Sequence, residues 1–342
     1  MPKPFDILDQ LGKFAQLKNV SLNATDLRGA FSEYVAVEVD KALGDPILLH
    51  GQRTEAMFEA LLLSLSKFKL LKREDIGQVY PHNHFIAPDF RVVLENGAQW
   101  LIEVKNVYES DASKQSRTLF GQDYYRQLNG YADAVGGELK LAVFWARWSV
   151  WTLVSPAKLV DAAGNLTLDM MTAIKINEMG TLGDMMIGTT APLTLRLTTD
   201  PDRTSPIGPD GEVKIVFGKS QIFSENREII DPTEQQIAWI FMQYGQWEEQ
   251  EPKPVIDGDR LLAMEFSWAP NETSDQGFDF VGSLSRMFAR YYAEHTISEQ
   301  EIAQIRAPSR LNWFAPLRQF DYASSTLPLW RFTQEPNYCD LS

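Results

Sequence analysis

Apolar positions recur every three to four residues through the first part of the chain, then switch to every second residue. Residues 6–17 and 26–43 carry helical spacing, the second with Thr25 as N-cap and Gly44 as stop. A third helix is expected over 51–71, where Met57, Phe58, Leu61, Leu62, Leu65 and Phe68 share a face while Glu55 and Glu59 stand one turn apart. The period of two then predicts strands at 76–80, 89–94 and 99–107, the last two joined through Glu95-Asn96-Gly97. A long helix over 113–135 stops at Gly136-Gly137, and 138–145 with 149–154 reads as a further strand pair. The order is helix, three strands, helix, strand.

This predicts an α/β core over residues 51–160, preceded by a helical segment over 1–50 and followed by a mixed α+β domain over 165–342. The join is placed at the Gly-, Asn- and Asp-bearing run 161–168. In the second half, strands are expected at 193–197, 214–217 and 261–268, and a helix at 281–294. Asp231-Pro232-Thr233-Glu234 opens a helix to residue 244, with Asp as N-cap and Pro at the first helical position. Ser298-Glu299-Gln300-Glu301 has the form of a capping box and predicts another.

Charge changes the picture. The net charge of −14 weighs against a protein that coats nucleic acid by bulk electrostatics. It is unevenly spread: residues 1–160 hold 18 basic against 19 acidic side chains, whereas residues 161–342 hold 14 against 27. The acidic half is expected to serve docking or oligomerisation, as a homodimer contact or for a protein partner. Should its helices form a helix-turn-helix or winged-helix reader, Arg286, Arg290, Arg306 and Arg310 are the cations to cluster. The single cysteine, Cys339, excludes an intramolecular disulfide and a Cys-based zinc site, so a metal would need carboxylates or histidines. No apolar run is long enough to span a bilayer or follows the start as a signal peptide, and a cytoplasmic protein is expected.

The chemistry concentrates in Pro88-Asp89 and, one hairpin later, Glu103-Val104-Lys105. Residues two apart on a strand share a face, so Glu103 and Lys105 point the same way. Whether Asp89 joins them depends on register. A two-residue Asn-Gly turn pairs Asp89 with Val104 and mixes charged with apolar groups on each face. A three-residue loop with Gly97 left-handed pairs Phe90 with Ile102, Val92 with Trp100 and Asp89 with Glu103. One face is then apolar and the other gathers Asp89, Glu103 and Lys105, so patterning and chemistry select the same register.

These residues resemble the signature of the PD-(D/E)xK, or restriction-endonuclease-like, nuclease superfamily. Gln127-Leu128-Asn129-Gly130-Tyr131 is similar to the Gln-x-x-x-Tyr motif of its RecB-like branches, and the resemblance covers roughly residues 50–155. It implies a sheet flanked by helices, Mg²⁺-dependent phosphodiester cleavage with Mn²⁺ as substitute, and a nucleic-acid substrate, DNA before RNA. The enzyme expected is an endonuclease of restriction or defence type. The alternatives are a repair or processing exonuclease and a non-catalytic interaction module on the same fold.

Hard Mg²⁺ prefers oxygen ligands and keeps several waters. Asp89, Glu103 and the Val104 carbonyl are assigned to the metal, with Lys105 to orient water and stabilise developing charge. Glu55 is the first choice for a further ligand because it is placed near a helix start, Glu59 is its substitute, and Glu33 is a third candidate one helix earlier. Gln127 and Tyr131 are expected to face the site and to contact substrate or the lysine. His82, His84, Lys114 and Arg117 are candidate phosphate contacts, although polar loop residues and a solvated helix face account for them as well. The stripe Phe120, Tyr124, Leu128 and Tyr131 reads as core packing, with Tyr131 the exception, and Trp145, Trp148 and Trp151 as a seal on the core.

Overall fold

The computed structural model describes residues 7–74, 84–108, 117–161, 163–319 and 321–339. The chain divides into two compact units, residues 1–53 and 54–342. In the first, helices α1 (Ile7–Lys18) and α2 (Leu27–Leu43) close a small core of Phe14, Ala15 and Leu27, with the Phe14 ring 5.5 Å from Phe31 and 5.0 Å from Tyr34. Helix α3 (Pro46–Leu65) starts earlier than residue 51. Asp45 caps it, its Oδ1 accepting from the N–H groups of Ile47 (2.9 Å) and Leu48 (3.2 Å), and Pro46 takes the first helical position.

In the second unit, β1 (Leu70–Arg73), β2 (Phe90–Val93), β3 (Gln99–Val107), β5 (Glu138–Trp145) and β6 (Val150–Val154) form one sheet in that spatial order. Between β3 and β5 lie β4 (Arg117–Phe120) and helix α4 (Gln122–Ala134). Of the sheet's pairings only β3 with β5 is parallel, as a helical crossover requires. Even-numbered side chains of β3 (Trp100, Ile102, Val104) join Met57, Phe58 and Leu61 of α3 in one core; Leu101 and Val107 join Leu128 and Ala132 of α4 in another. The sheet is thus covered on both faces, and Trp145 and Trp151 are among its most buried side chains.

The hairpin from β2 to β3 has the three-residue loop. Phe90 pairs with Ile102 and Val92 with Trp100, Gly97 adopts φ +91°, and the Leu94 N–H donates to the Ala98 carbonyl at 2.9 Å. Other expectations need correction. The helix expected over 113–135 begins only at Gln122, because Arg117–Phe120 pairs as a strand with β7 (Leu166–Leu168) across the run expected to be a domain join. The sheet's edge strand is Leu70–Arg73, freed from α3 at Ser66, whose φ of +51° ends the helix. The strand expected at 76–80 lies outside the described residues.

Beyond β7 follow helix α5 (Met170–Lys175) and β8 (Met186–Thr189). Strands β9 (Leu193–Thr199), β10 (Phe217–Ser224), β11 (Arg227–Ile229), β12 (Glu248–Glu249), β13 (Lys253–Asp257) and β14 (Arg260–Ala269) build an antiparallel sheet. β15 (Asp279–Ser283) pairs with β8 and leads into helix α7 (Leu284–Thr296), so the helix expected from residue 281 starts later. Helix α6 (Pro232–Tyr244) starts where expected: Asp231 Oδ1 accepts from the N–H groups of Thr233 and Glu234 at 2.8 and 3.0 Å. The capping-box reading at Ser298 fails, since Glu299 and Gln300 take positive φ and form the turn of a hairpin, β16 (Ile297–Ser298) with β17 (Glu301–Ile302). Short helix α8 (Ala315–Arg318) and β18 (Trp330–Phe332) complete the described elements.

Helices α6 and α7 pack into the core: Ile237, Phe241, Met287, Phe288 and Tyr291 share one buried cluster with α3 and the apolar face of β2 and β3. Of the four arginines proposed as a cluster, Arg286 and Arg290 stand one turn apart on α7, close enough for the Arg286 charge to act on Arg290, while the other two have separate partners. Arg286 reaches Gln246 (3.3 Å), Arg290 the Gly245 carbonyl, Arg306 Glu59 (3.0 Å), and Arg310 lies over the Tyr291 ring (5.4 Å). No helix among the described residues is long and apolar enough to cross a membrane.

A buried polar knot holds the β5–β6 edge of the sheet. Lys140 on β5 donates to Glu178 and Ser155 (both 2.6 Å) and to Glu138 (2.7 Å), while the Tyr338 hydroxyl donates to Glu178 and accepts from the Ser155 N–H (2.9 Å). All of Lys140, Ser155 and Glu178 are buried, so each needs those partners to offset its lost hydration.

A Cβ at Gly97 meets nothing within 4 Å, so Gly97→Ala isolates the cost of the left-handed backbone. Urea unfolding should show a loss of about 1–2 kcal/mol, with Gly97→Asn losing clearly less because Asn tolerates that region. Equal stability of all three proteins would contradict the turn.

Candidate active site

The ends of β1 and β2 meet the middle of β3 on the α4 side of the sheet. Arg73 pairs with Phe90 and Phe90 with Ile102, so the next residues, Glu74, Asp89 and Glu103, form a row. The Glu74 N–H donates to the Asp89 carbonyl at 2.8 Å. Two residues on, Lys105 shares the face of Glu103.

Asp89 immediately precedes the first residue of β2. Its Oδ2 accepts the Val104 N–H at 2.6 Å, taking the place of the strand residue that would otherwise pair there. An extended residue directs its N–H and C=O to the same neighbour, so the Val104 carbonyl opens toward the gap beside Asp89. Burial and the Glu103 charge push the Asp89 carboxyl up to about 8; the Val104 N–H opposes this, Glu55 adds to it and Lys105 opposes it. Asp89 therefore holds a proton through much of the neutral range in the metal-free protein.

Glu103 is buried, and its Oε1 accepts from two donors, Lys105 Nζ at 2.6 Å and the Tyr124 hydroxyl at 2.7 Å. The Lys105 ammonium also lies 5.0 Å from the Tyr124 ring centre and 5.7 Å from that of Phe120. Burial first, then the Glu103 charge, raises the Tyr124 phenol well above its ordinary value, so it remains a donor. Tyr124 is the residue that the sequence reading missed. It lies seven positions before Tyr131, on the same helical face, and was assigned with its stripe to the core. The sequence alone does not show that this stripe passes over the end of β3.

The remaining candidates separate. Glu55 does not sit near a helix start, since α3 begins at Pro46, yet its charge acts on both Asp89 and Tyr124. It lies 3.5 Å from Arg73. Glu59 is held by Arg73 (3.2 Å) and Arg306 (3.0 Å). Glu33 is exposed on α2. The Tyr131 hydroxyl donates to Glu74 Oε1 at 2.7 Å, beside Arg91 (2.5 Å) and Lys72 (3.2 Å). Burial pushes the Glu74 carboxyl up, but the bonds from Tyr131, Lys72 and Arg91 outweigh it and hold it below the ordinary range. Gln127 is half-buried one turn earlier, and its carbonyl accepts from the Ile86 N–H at 3.4 Å. His84 is exposed; His82 and Lys114 lie outside the described residues, as does the side chain of Arg117.

Among the described residues no group of three or more His, Cys, Asp or Glu side chains is gathered to hold a metal, so Asp89, Glu103 and Glu55 are not assembled as a three-carboxylate set. Two carboxylates and a carbonyl nonetheless fit Mg²⁺, which commonly takes one or two protein carboxylates and keeps waters for the rest. The raised Asp89 carboxyl fits as well: burial raises it most and the Glu103 charge next, and a cation there would oppose both.

Searches against protein-family models and against curated proteins found no match. Among solved structures, part of the chain is similar to Hjc, a Holliday junction resolvase from the archaeal hyperthermophile Archaeoglobus fulgidus. The match has 24% sequence identity and a TM-score of 0.27, and covers 34% of this chain and 89% of that one.

Proposed function

We propose that this chain is a divalent-metal-dependent nuclease of the PD-(D/E)xK kind that hydrolyses phosphodiester bonds in DNA, with Mg²⁺ as cofactor and Mn²⁺ as substitute. The observation that carries the reading is the juxtaposition of Asp89, just before β2, with Glu103 and Lys105 on the paired strand β3, in the register that the signature requires. Asp89, Glu103 and the Val104 carbonyl would hold the ion, and Glu55 would add negative charge to the same space. When bound, the metal supplies Lewis-acid charge at the phosphoryl group. The endonuclease assignment, of restriction or defence type, follows the pattern resemblance.

The chain's own groups have separate tasks. Asp89 would have to give up its proton for a cation to bind. Glu103 stands beside Lys105, whose side chain is partly exposed and whose ammonium offers N–H donors to charge building on phosphate oxygens. Acidity in residues 161–342 lies on a half whose helices pack into the core and leaves the site's nearly neutral half to meet the phosphate backbone. A docking or oligomerisation role for that acidic half belongs to the same proposal.

Supercoiled plasmid and linear DNA incubated with Mg²⁺ or EDTA should show metal-dependent cleavage, with nicking of the plasmid marking endonuclease action. Asp89→Asn and Lys105→Ala should each lower the rate by at least about 100-fold; wild-type rates in both would remove the site. The Asp89 proton gives a second expectation. Its folded-state value of about 8 lies above that of an unfolded aspartate, so its contribution to stability is present in acid and is lost as pH rises through about 8. Metal binding must expel the same proton. Apparent Mn²⁺ affinity by calorimetry should rise by up to about tenfold per pH unit from about pH 6 and level above about 8, and Asp89→Asn should abolish the slope. Glu55→Gln should weaken Mn²⁺ binding several-fold, while Glu59→Gln, engaged by two arginines, should leave it near the wild-type value.

A further inference from the structure

Tyr124 touches both charged groups of the Glu-x-Lys pair. Its hydroxyl donates to Glu103 Oε1 at 2.7 Å, the same oxygen that accepts from Lys105 Nζ at 2.6 Å, and its ring lies 5.0 Å from that ammonium. Phe120, at the end of β4 and 5.6 Å from the Tyr124 ring, adds a second aromatic contact to the lysine at 5.7 Å. Phe120 is buried, whereas Tyr124 is half-buried and bears its hydroxyl on the site side. Packing alone would be served by a phenylalanine at position 124. A phenol there would be costly to bury without an acceptor, and the acceptor it has is the proposed metal ligand.

We infer that Tyr124 is a positioning residue for this site: its hydroxyl fixes the Glu103 carboxylate and its ring fixes the Lys105 ammonium. This rests on the nuclease reading above. With Oε1 committed to two donors, Glu103 presents Oε2 to a cation, and the carboxylate is held in one rotamer before a metal arrives. Glu103 and Lys105 otherwise form a pair whose ammonium can swing to any oxygen within reach. The two rings confine it over the end of β3, on the face where Asp89 stands.

The test uses the full chain with two variants, Tyr124→Phe, which removes the hydroxyl and keeps the ring, and Tyr124→Leu, which removes both. Mn²⁺ binding is measured by calorimetry, plasmid cleavage by steady-state kinetics, and folding by thermal melting, with all comparisons made well below the melting transition. Tyr124→Phe should weaken Mn²⁺ binding and lower kcat by about tenfold each, the usual scale for a group that orients a ligand. KM for DNA should stay within about twofold, since the hydroxyl does not meet substrate. Tyr124→Leu should lower kcat further. A Tyr124→Phe protein that binds Mn²⁺ and cleaves as wild type does overturns the inference, whatever its melting temperature, and assigns the residue to packing. Wild-type Mn²⁺ binding that Tyr124→Phe weakens, with no cleavage of DNA by either protein, upholds the role of Tyr124 while removing the nuclease reading. No Mn²⁺ binding by the wild type removes both.

Discussion

The register of the β2–β3 hairpin governs everything built around it. Side chains on a strand alternate between faces, so moving one strand by a single residue would send Phe90 and Val92 toward α4 and separate Asp89 from Glu103. The left-handed backbone at Gly97 allows three residues, rather than two, to turn the chain. The apolar face of the hairpin is then sealed by Met57, Phe58 and Leu61 of α3. Slippage would expose that face and bury Glu103 and Lys105 in it. The same hydrophobic burial that stabilises the sheet therefore holds three charged groups together.

Those groups sit in an electrostatic arrangement dominated by burial. Burial first, then the Glu103 charge, favours the protonated form of Asp89, and Lys105 opposes it. The neighbouring carboxylate in the row, Glu74, has the opposite fate: Lys72, Arg91 and Tyr131 surround it and keep it charged. The contrast between the two sets a carboxylate surrounded by three donors against one held by burial and a neighbouring negative charge.

Much of this was legible in the sequence because one face had to be apolar. Trp100, Ile102, Phe90 and Val92 admitted a single register, and the bounds of β3 and β5 followed from unbroken alternation between turn residues. Long-range choices were not legible. Leu70–Arg73 is a strand only because β2 is beside it, and Arg117–Phe120 only because Leu166–Leu168 is. The capping box at Ser298 lost to a hairpin because a local signal of about 1 kcal/mol yields easily to tertiary context. The tyrosines of α4 show the same limit: periodicity put Tyr124 and Tyr131 on one face, yet only the strands beneath them decide that one meets Glu103 and the other Glu74.

The buried knot around Lys140 carries a consequence for how the protein is made. Its lysine and serine enter the sheet with β5 and β6, but Tyr338, which bonds both Ser155 and Glu178, follows Ser155 by 183 residues in the chain. During synthesis the central sheet can pair its strands and pack α4 long before that hydroxyl leaves the ribosome. Until then the Ser155 N–H lacks that acceptor and Glu178 one of its donors. The hairpin that bears Asp89 and Glu103 closes on contacts between sequence neighbours, whereas the β5–β6 edge is completed by a contact across 183 residues.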